Sequence, residues 1–288
     1  MDIAGAISDA IANLLRPAVK VLLEGMFGII NDSVGYAGKE LSKDPETWNS
    51  GMFSLLRNVS INAVVPIAVI ILTLVVCYDL ISSFIDKSTR DIDVEIVIKF
   101  VFKAFIGIFI LNHTFDITMG VFAMGQNVVN KAIEIFGDSS VITADLYNAY
   151  SQQIEDMGAG SLFVAVIEMG FVNIISLAVS AAVMAVTTAR MIEIYIFCSA
   201  APIPFATLTN REWGSVGTNY IKNIFALSFQ AFFMMICVGL YSGLVNNIVI
   251  SNTDSLNFSL IKCMALSLVL IFMLFKCGSI SKSIFNAL

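Results

Sequence analysis

NVSINAVVPIAVIILTLVVCY, residues 58–78, runs without a single Asp, Glu, Lys or Arg. A hydrocarbon core about 30 Å thick takes about 20 apolar residues to cross as a helix, so this stretch can span a bilayer once. Lipid offers no water to unpaired backbone groups, which leaves a helix as the form a lone crossing segment can take. Other stretches meet the same test. Met169–Ala189 is uncharged, and Asn223–Thr253 is uncharged and long enough to cross with tilt or an unwound end. Ile194–Asn210 is slightly short and contains Ala-Pro-Ile-Pro. Val94–Asn112 holds Lys99 and Lys103, and Leu256–Phe275 holds Lys262. Lysines near a helix end reach the headgroups along their apolar stems, so both segments remain spans. The reading is an all-α polytopic bundle of six transmembrane helices, with five as the next count.

The bulk composition points the same way. Hydrophobic residues make up 58% of the 288 positions and charged ones 13%, with a mean hydropathy of +0.86. Soluble domains have about 25% charged residues, so a water-facing surface cannot be built from this chain, and membrane lipid is its first partner. A net charge of -6 argues against holding nucleic acid by phosphate neutralisation along a basic stripe, and leaves open its passage through a pore. The five cysteines all fall in apolar runs without a CxxC pair and read as small core hydrophobes. Asp2 and Asp9 precede the first positive charge, which does not fit a secretory signal.

Before the first span, Ile3, Ile7, Ile11, Leu15, Ala18, Leu22 and Met26 recur every three or four residues. Asp9, Asn13, Arg16, Lys20 and Glu24 take the other face, with Pro17 as an expected kink. This predicts an N-terminal amphipathic helix, too polar to span, lying in the interface or packing on a partner helix. The chain divides into this helix and a polar connection (1–57), two spans (58–136), an acidic extramembrane loop (137–160) and a C-terminal cluster of about four spans (161–288). Within the loop, Leu146, Tyr150, Ile154 and Met157 suggest a short amphipathic helix. Positive residues split almost evenly between span ends, so orientation is not decided.

No catalytic set is legible. The only histidine is His113, no Cys or carboxylate cluster has metal-ligand spacing, and GxxxxGK[ST] and GxSxG are absent. The expectation is therefore a non-enzyme without cofactor or metal. What stands out are charges within membrane helices, which are functional by default when they face the bundle interior. Glu95, Lys99 and Lys103 form one stripe at i, i+4 and i+8, either a helix end paired at the interface or a polar lumen or subunit contact. Arg190 and Glu193, at the start of the fourth predicted span, are one turn apart and can pair locally. His113 and Asp116 flank the far end of the second. Pro202 and Pro204 must interrupt regular helical bonding, as a functional kink or a helix end. Gly239 and Gly243 make a GxxxG, and Ala181, Ala185 and Ala189 a small-xxx-small face, both suited to close helix approach.

Several segments together carry a family resemblance: Asp-Ala-Ile-Ala-Asn-Leu-Leu-Arg (9–16), running on to Leu-Leu-Glu-Gly-Met-Phe-Gly-Ile-Ile-Asn (22–31); Ala-Arg-Met-Ile-Glu-Ile-Tyr (189–195); Ala-Pro-Ile-Pro-Phe-Ala-Thr (201–207); and Asn-Arg-Glu-Trp-Gly (210–214). In this order the chain resembles the TrbL-like polytopic proteins of conjugative type IV secretion systems, particularly those on integrative elements of low-GC Gram-positive bacteria. The resemblance implies a channel or platform subunit through which DNA with its attached relaxase crosses the cytoplasmic membrane. It also implies a homo-oligomeric ring beside the system's ATPases and coupling protein, with transient passage of DNA rather than tight binding. A secondary transporter is the alternative, but one Pro-x-Pro break and no inverted repeat fit it poorly. A membrane scaffold or assembly factor is the third reading.

Overall fold

The computed structural model describes residues 3–86, 94–136, 144–210, 212–250 and 256–287. Every regular element among them is helical: α1 (Ile3–Leu41), α2 (Pro45–Trp48), α3 (Ser50–Val59), a π-turn (Ser60–Val64), α4 (Val65–Asp86), α5 (Val94–Phe136), α6 (Ala144–Glu155), α7 (Ala159–Ala200), α8 (Pro202–Ala206), α9 (Gly214–Ile250) and α10 (Leu256–Ile284). Five of these stretches are long and apolar enough to cross a membrane: Ser50–Ser83, Val97–Phe136, Ala159–Ala206, Gly214–Asn247 and Phe258–Ile284. The count is five rather than six because Met169–Ala189 and the first part of Ile194–Asn210 lie on one helix, α7. The charges that separate them in sequence, Arg190 and Glu193, do not break helical bonding; both are good helix formers. Likewise α5 does not end near His113 and Asp116 but continues to Phe136.

The chain folds as two units. The first comprises residues 1–42, 129–188 and 232–277; the second 43–128, 189–231 and 278–288.

In the first unit α1 is a core helix. Its buried residues include Ala12, Val19, Leu23, Met26, Ile30, Val34, Ala37 and Leu41, a stripe at helical spacing. Only Met26 of the expected apolar face belongs to it; Ile7 and Ile11 are exposed. The two faces lie about a third of a turn apart, and periodicity in the first 26 residues could not see the stripe's continuation to Leu41. Pro17 sits on the exposed side of an uninterrupted helix, where its missing N–H leaves no buried carbonyl in want of a donor. Asn173 ties α7 to α1: its amide donates to Leu22 O and to Met169 O, both at 2.9 Å.

The short helix expected inside the acidic loop is α6, with Tyr150 and Ile154 buried. At its end Glu155 accepts a hydrogen bond from Lys20 Nζ, and Arg16 Nε lies 3.8 Å away. Lys20, then Arg16, holds the Glu155 carboxyl below its ordinary value of 4.5. A depressed acid stabilises the fold above its ordinary pKa, and that contribution is lost as pH falls through the lowered value. We expect acidification below about pH 4.5 to loosen α6 from α1, read as a growing distance between labels on the two helices. Glu155→Gln should abolish this pH step; a step that persists in the variant would assign it to another group.

In the second unit α3, α4, α5, α8 and the adjoining parts of α7 and α9 share a core built around Phe53, Leu72, Phe115, Phe122, Ile194 and Tyr195. The polar connection expected before residue 58 is largely helical, and its Trp48 and Phe53 pack into this core. The π-turn has a local cause. Pro66 cannot donate to Asn62 O, and its ring would crowd that carbonyl; widening the preceding turn relieves both. Val65 N–H accordingly bonds Ser60 O, five residues back.

Candidate functional site

The charges flagged within apolar helices end up in different places. In the second unit the exposed Lys103 reaches across to α4 and pairs with Asp79, which is partly buried. Its partner is thus on another helix. Lys99 is exposed and also engaged, while the side chain of Glu95 lies outside the described residues. A second ionic link, Arg57 Nη2 to Asp116 Oδ1 at 3.2 Å, ties α3 to α5. The Arg57 guanidinium also sits 5.7 Å from the centre of the Phe115 ring. Both links are largely solvent- or headgroup-exposed, so each contributes at most about 1 kcal/mol. Their role is to fix which faces of α3, α4 and α5 meet.

Arg190 is different. It is 3% exposed on α7, and its Nε has no hydrogen-bond partner among the described residues. Glu193, one turn on, is its electrostatic neighbour, but the two form no salt bridge. The local pairing expected from their spacing is therefore absent, because Arg190 points into protein while Glu193 remains partly exposed. A guanidinium this buried, with its Nε unpartnered and no salt bridge, costs stability, and a charge so placed within a membrane helix is a functional candidate by default.

Pro202 and Pro204 are buried in the turn that follows. The helical ladder is interrupted at Ala201, yet Ala201 keeps α-helical angles (φ -50°, ψ -40°) despite preceding a proline. Phe205 N still bonds Ala201 O at 3.2 Å, so the break is a short offset, not an unwound segment. Side chains secure it. Thr207 Oγ1 donates to Pro204 O at 2.8 Å and accepts from Gly217 N at 3.1 Å. Asn210 Oδ1 accepts from the backbone of Glu212 and Trp213, closing an Asx turn ahead of α9. Gly217 is required because a Cβ there would lie 2.6 Å from Leu208 and 2.7 Å from Pro204 O.

Tyr195, buried one turn beyond Arg190, donates to Pro45 O at 2.7 Å and packs against Trp48 with ring centres 5.8 Å apart. Tyr195→Phe leaves the Pro45 carbonyl without its donor and should lower stability by about 1–3 kcal/mol. Thermal unfolding in detergent measures it; an unchanged melting temperature would mean water replaces the phenol.

In the first unit the GxxxG is only half used. A Cβ on Gly239 would come within 2.7 Å of the Phe136 ring, whereas Gly243 has nothing within 4 Å. The five cysteines are free; Cys198, Cys263 and Cys277 are buried as expected, while Cys77 is exposed. Sequence reasoning missed Asp79, Arg57, Asn173, Thr207 and Tyr195. Asn173 had a readable signal, an amide inside an uncharged run. Asp79, Arg57 and Tyr195 had none, since their partners are distant in the chain.

Among the described residues no group of three His, Cys, Asp or Glu is placed to hold a metal. A family model described as TrbL/VirB6 plasmid conjugal transfer like protein matches residues 30–202, more than half of the chain. The match takes in α3, α4, α5, Arg190 and the start of the proline turn. No curated protein and no solved structure matches.

Proposed function

Given that the chain belongs to the TrbL/VirB6 plasmid conjugal transfer like family, we propose that it is a channel or platform subunit of a conjugative type IV secretion system. It is a multi-pass membrane protein of conjugal transfer, with five helices able to cross a bilayer. In this reading it sits in the cytoplasmic membrane, without enzymatic activity or cofactor, as one of several copies in a ring. The system's ATPases and coupling protein supply energy and cargo, and DNA with its relaxase passes without tight binding. The observation that carries the reading is the family match across the first three of the five candidate membrane segments. The acidic balance of -6 supports passage rather than retention of a polyanion, because a wall that neutralises phosphates also holds them. Glu95, Lys99, Lys103, Arg190, Glu193, Pro202, Pro204, Gly239 and Gly243 remain the residues proposed to line the path or set helix contacts.

The test is genetic. Deleting the gene should reduce transfer of the element to background while growth stays normal, and a plasmid-borne copy should restore it. Wild-type transfer from the deletion strain would overturn the proposal.

A further inference from the structure

Cys237 on α9 and Cys277 on α10 are both free thiols, and their sulfurs stand 3.6 Å apart. They are 40 positions apart in the chain, so only the packing of the last two spans brings them together. A second tie joins the same two helices inside the first unit. Tyr241 Oη lies 2.9 Å from Ser267 Oγ, and both residues are buried. Ser267 gives its hydrogen to Cys263 O at 2.8 Å, which leaves Tyr241 as the donor. That bond holds α9 against α10 one turn from Cys237.

The two thiols differ in access. Cys277 is fully buried, whereas Cys237 is half-buried and lines an apolar groove of about 460 Å³ between the two helices. That volume lies within the range of pockets that hold small molecules. Leu240, Leu244 and Val269 line the groove and are 50–57% exposed, so in a membrane it opens to acyl chains. No charged side chain borders it. A polar, water-borne oxidant must shed its hydration to enter, while an apolar one is already dissolved in the surrounding lipid.

We propose that Cys237 and Cys277 form a redox-active dithiol, which a lipid-soluble quinone closes to a disulfide, stapling α9 to α10. The Cys237 sulfur bonds first to the quinone, which takes up its hydrogen. The Cys277 sulfur then attacks the Cys237 sulfur. The S–S bond forms as the bond to the carrier breaks, and the second hydrogen leaves on the hydroquinone. The two thiols lose two electrons and two protons in all, and the quinone gains both. Closure draws the sulfurs about 1.5 Å nearer, to a bond of about 2.05 Å, a shift that packed helices make by sliding about 1–2 Å. Dithiol and disulfide are both uncharged, so neither state leaves an ion in hydrocarbon.

The test uses the full chain in native membranes, reduced, freed of reductant and kept anaerobic. A short-chain benzoquinone is added, the reaction is quenched in acid, and remaining thiols are alkylated and counted by mass. The count should fall from five to three, with the peptides holding Cys237 and Cys277 linked. Cys237→Ser and Cys277→Ser should each keep four. Five thiols after treatment, or a link through Cys77, Cys198 or Cys263, would overturn the proposal. If either serine variant fails to accumulate, the linked peptides of the unaltered chain decide alone. Leu240→Trp, which fills the groove beside Cys237, should slow closure; an unchanged rate would overturn the groove as the quinone's route.

Discussion

Gly125→Ala should destabilise the protein by about 2 kcal/mol, although alanine is the better helix former. Gly125 is buried on α5, and a Cβ there would stand 2.1 Å from Ser228 Oγ and 2.8 Å from the Ser228 carbonyl oxygen. Ser228 is fully buried and donates to Val121 O at 2.8 Å, so its hydroxyl cannot swing away without losing that bond. The carbonyl cannot move without shifting α9. Overpacking of this kind costs about 1–3 kcal/mol, and the propensity gain of at most about 1 kcal/mol does not offset it. Gly243→Ala is the control with the opposite sign: open space around Gly243 leaves only the propensity gain. Thermal unfolding in one detergent would compare the two. Equal shifts would show that the α5–α9 approach at Gly125 is looser than the structure has it.

Arg190→Met should raise stability and impair transfer. Removing a buried guanidinium with an unpartnered Nε takes away its desolvation penalty, and methionine fills similar space with an adaptable apolar chain. Exchanging buried ionic groups for apolar ones is often stabilising by about 1–4 kcal/mol. Transfer, scored by mating, should nonetheless fall at least about tenfold, because a charge so placed within a membrane helix is a functional candidate by default. A stabilised variant that transfers normally would end Arg190's candidacy. A destabilised one would point to a counter-charge that reaches it in the assembled state.

The two results bear on what a sequence can reveal. Hydropathy alone identified the apolar stretches, since each residue's preference for lipid or water is its own property, but it read two spans where α7 is one helix. It also located the charges worth inspecting, including Lys103 and Arg190. Partnership was another matter. Nothing near Lys103 announces Asp79, and the i, i+3 spacing of Arg190 and Glu193 suggested a pair that burial of one and partial exposure of the other prevents. Gly239 and Gly243 look alike in sequence, but only Gly239 lies against a ring from a different helix.

On α1 the apolar period was read correctly, but the buried face was not. Two stripes about a third of a turn apart are both apolar, and only the position of α6 and α7 chooses between them. The sequence by itself therefore determined that this is a helical membrane protein and which residues are costly to place in lipid, because transfer free energy is local. Tertiary structure alone decided which helix faces are covered, which charges find partners and which glycines are indispensable, because each depends on atoms brought together from far along the chain.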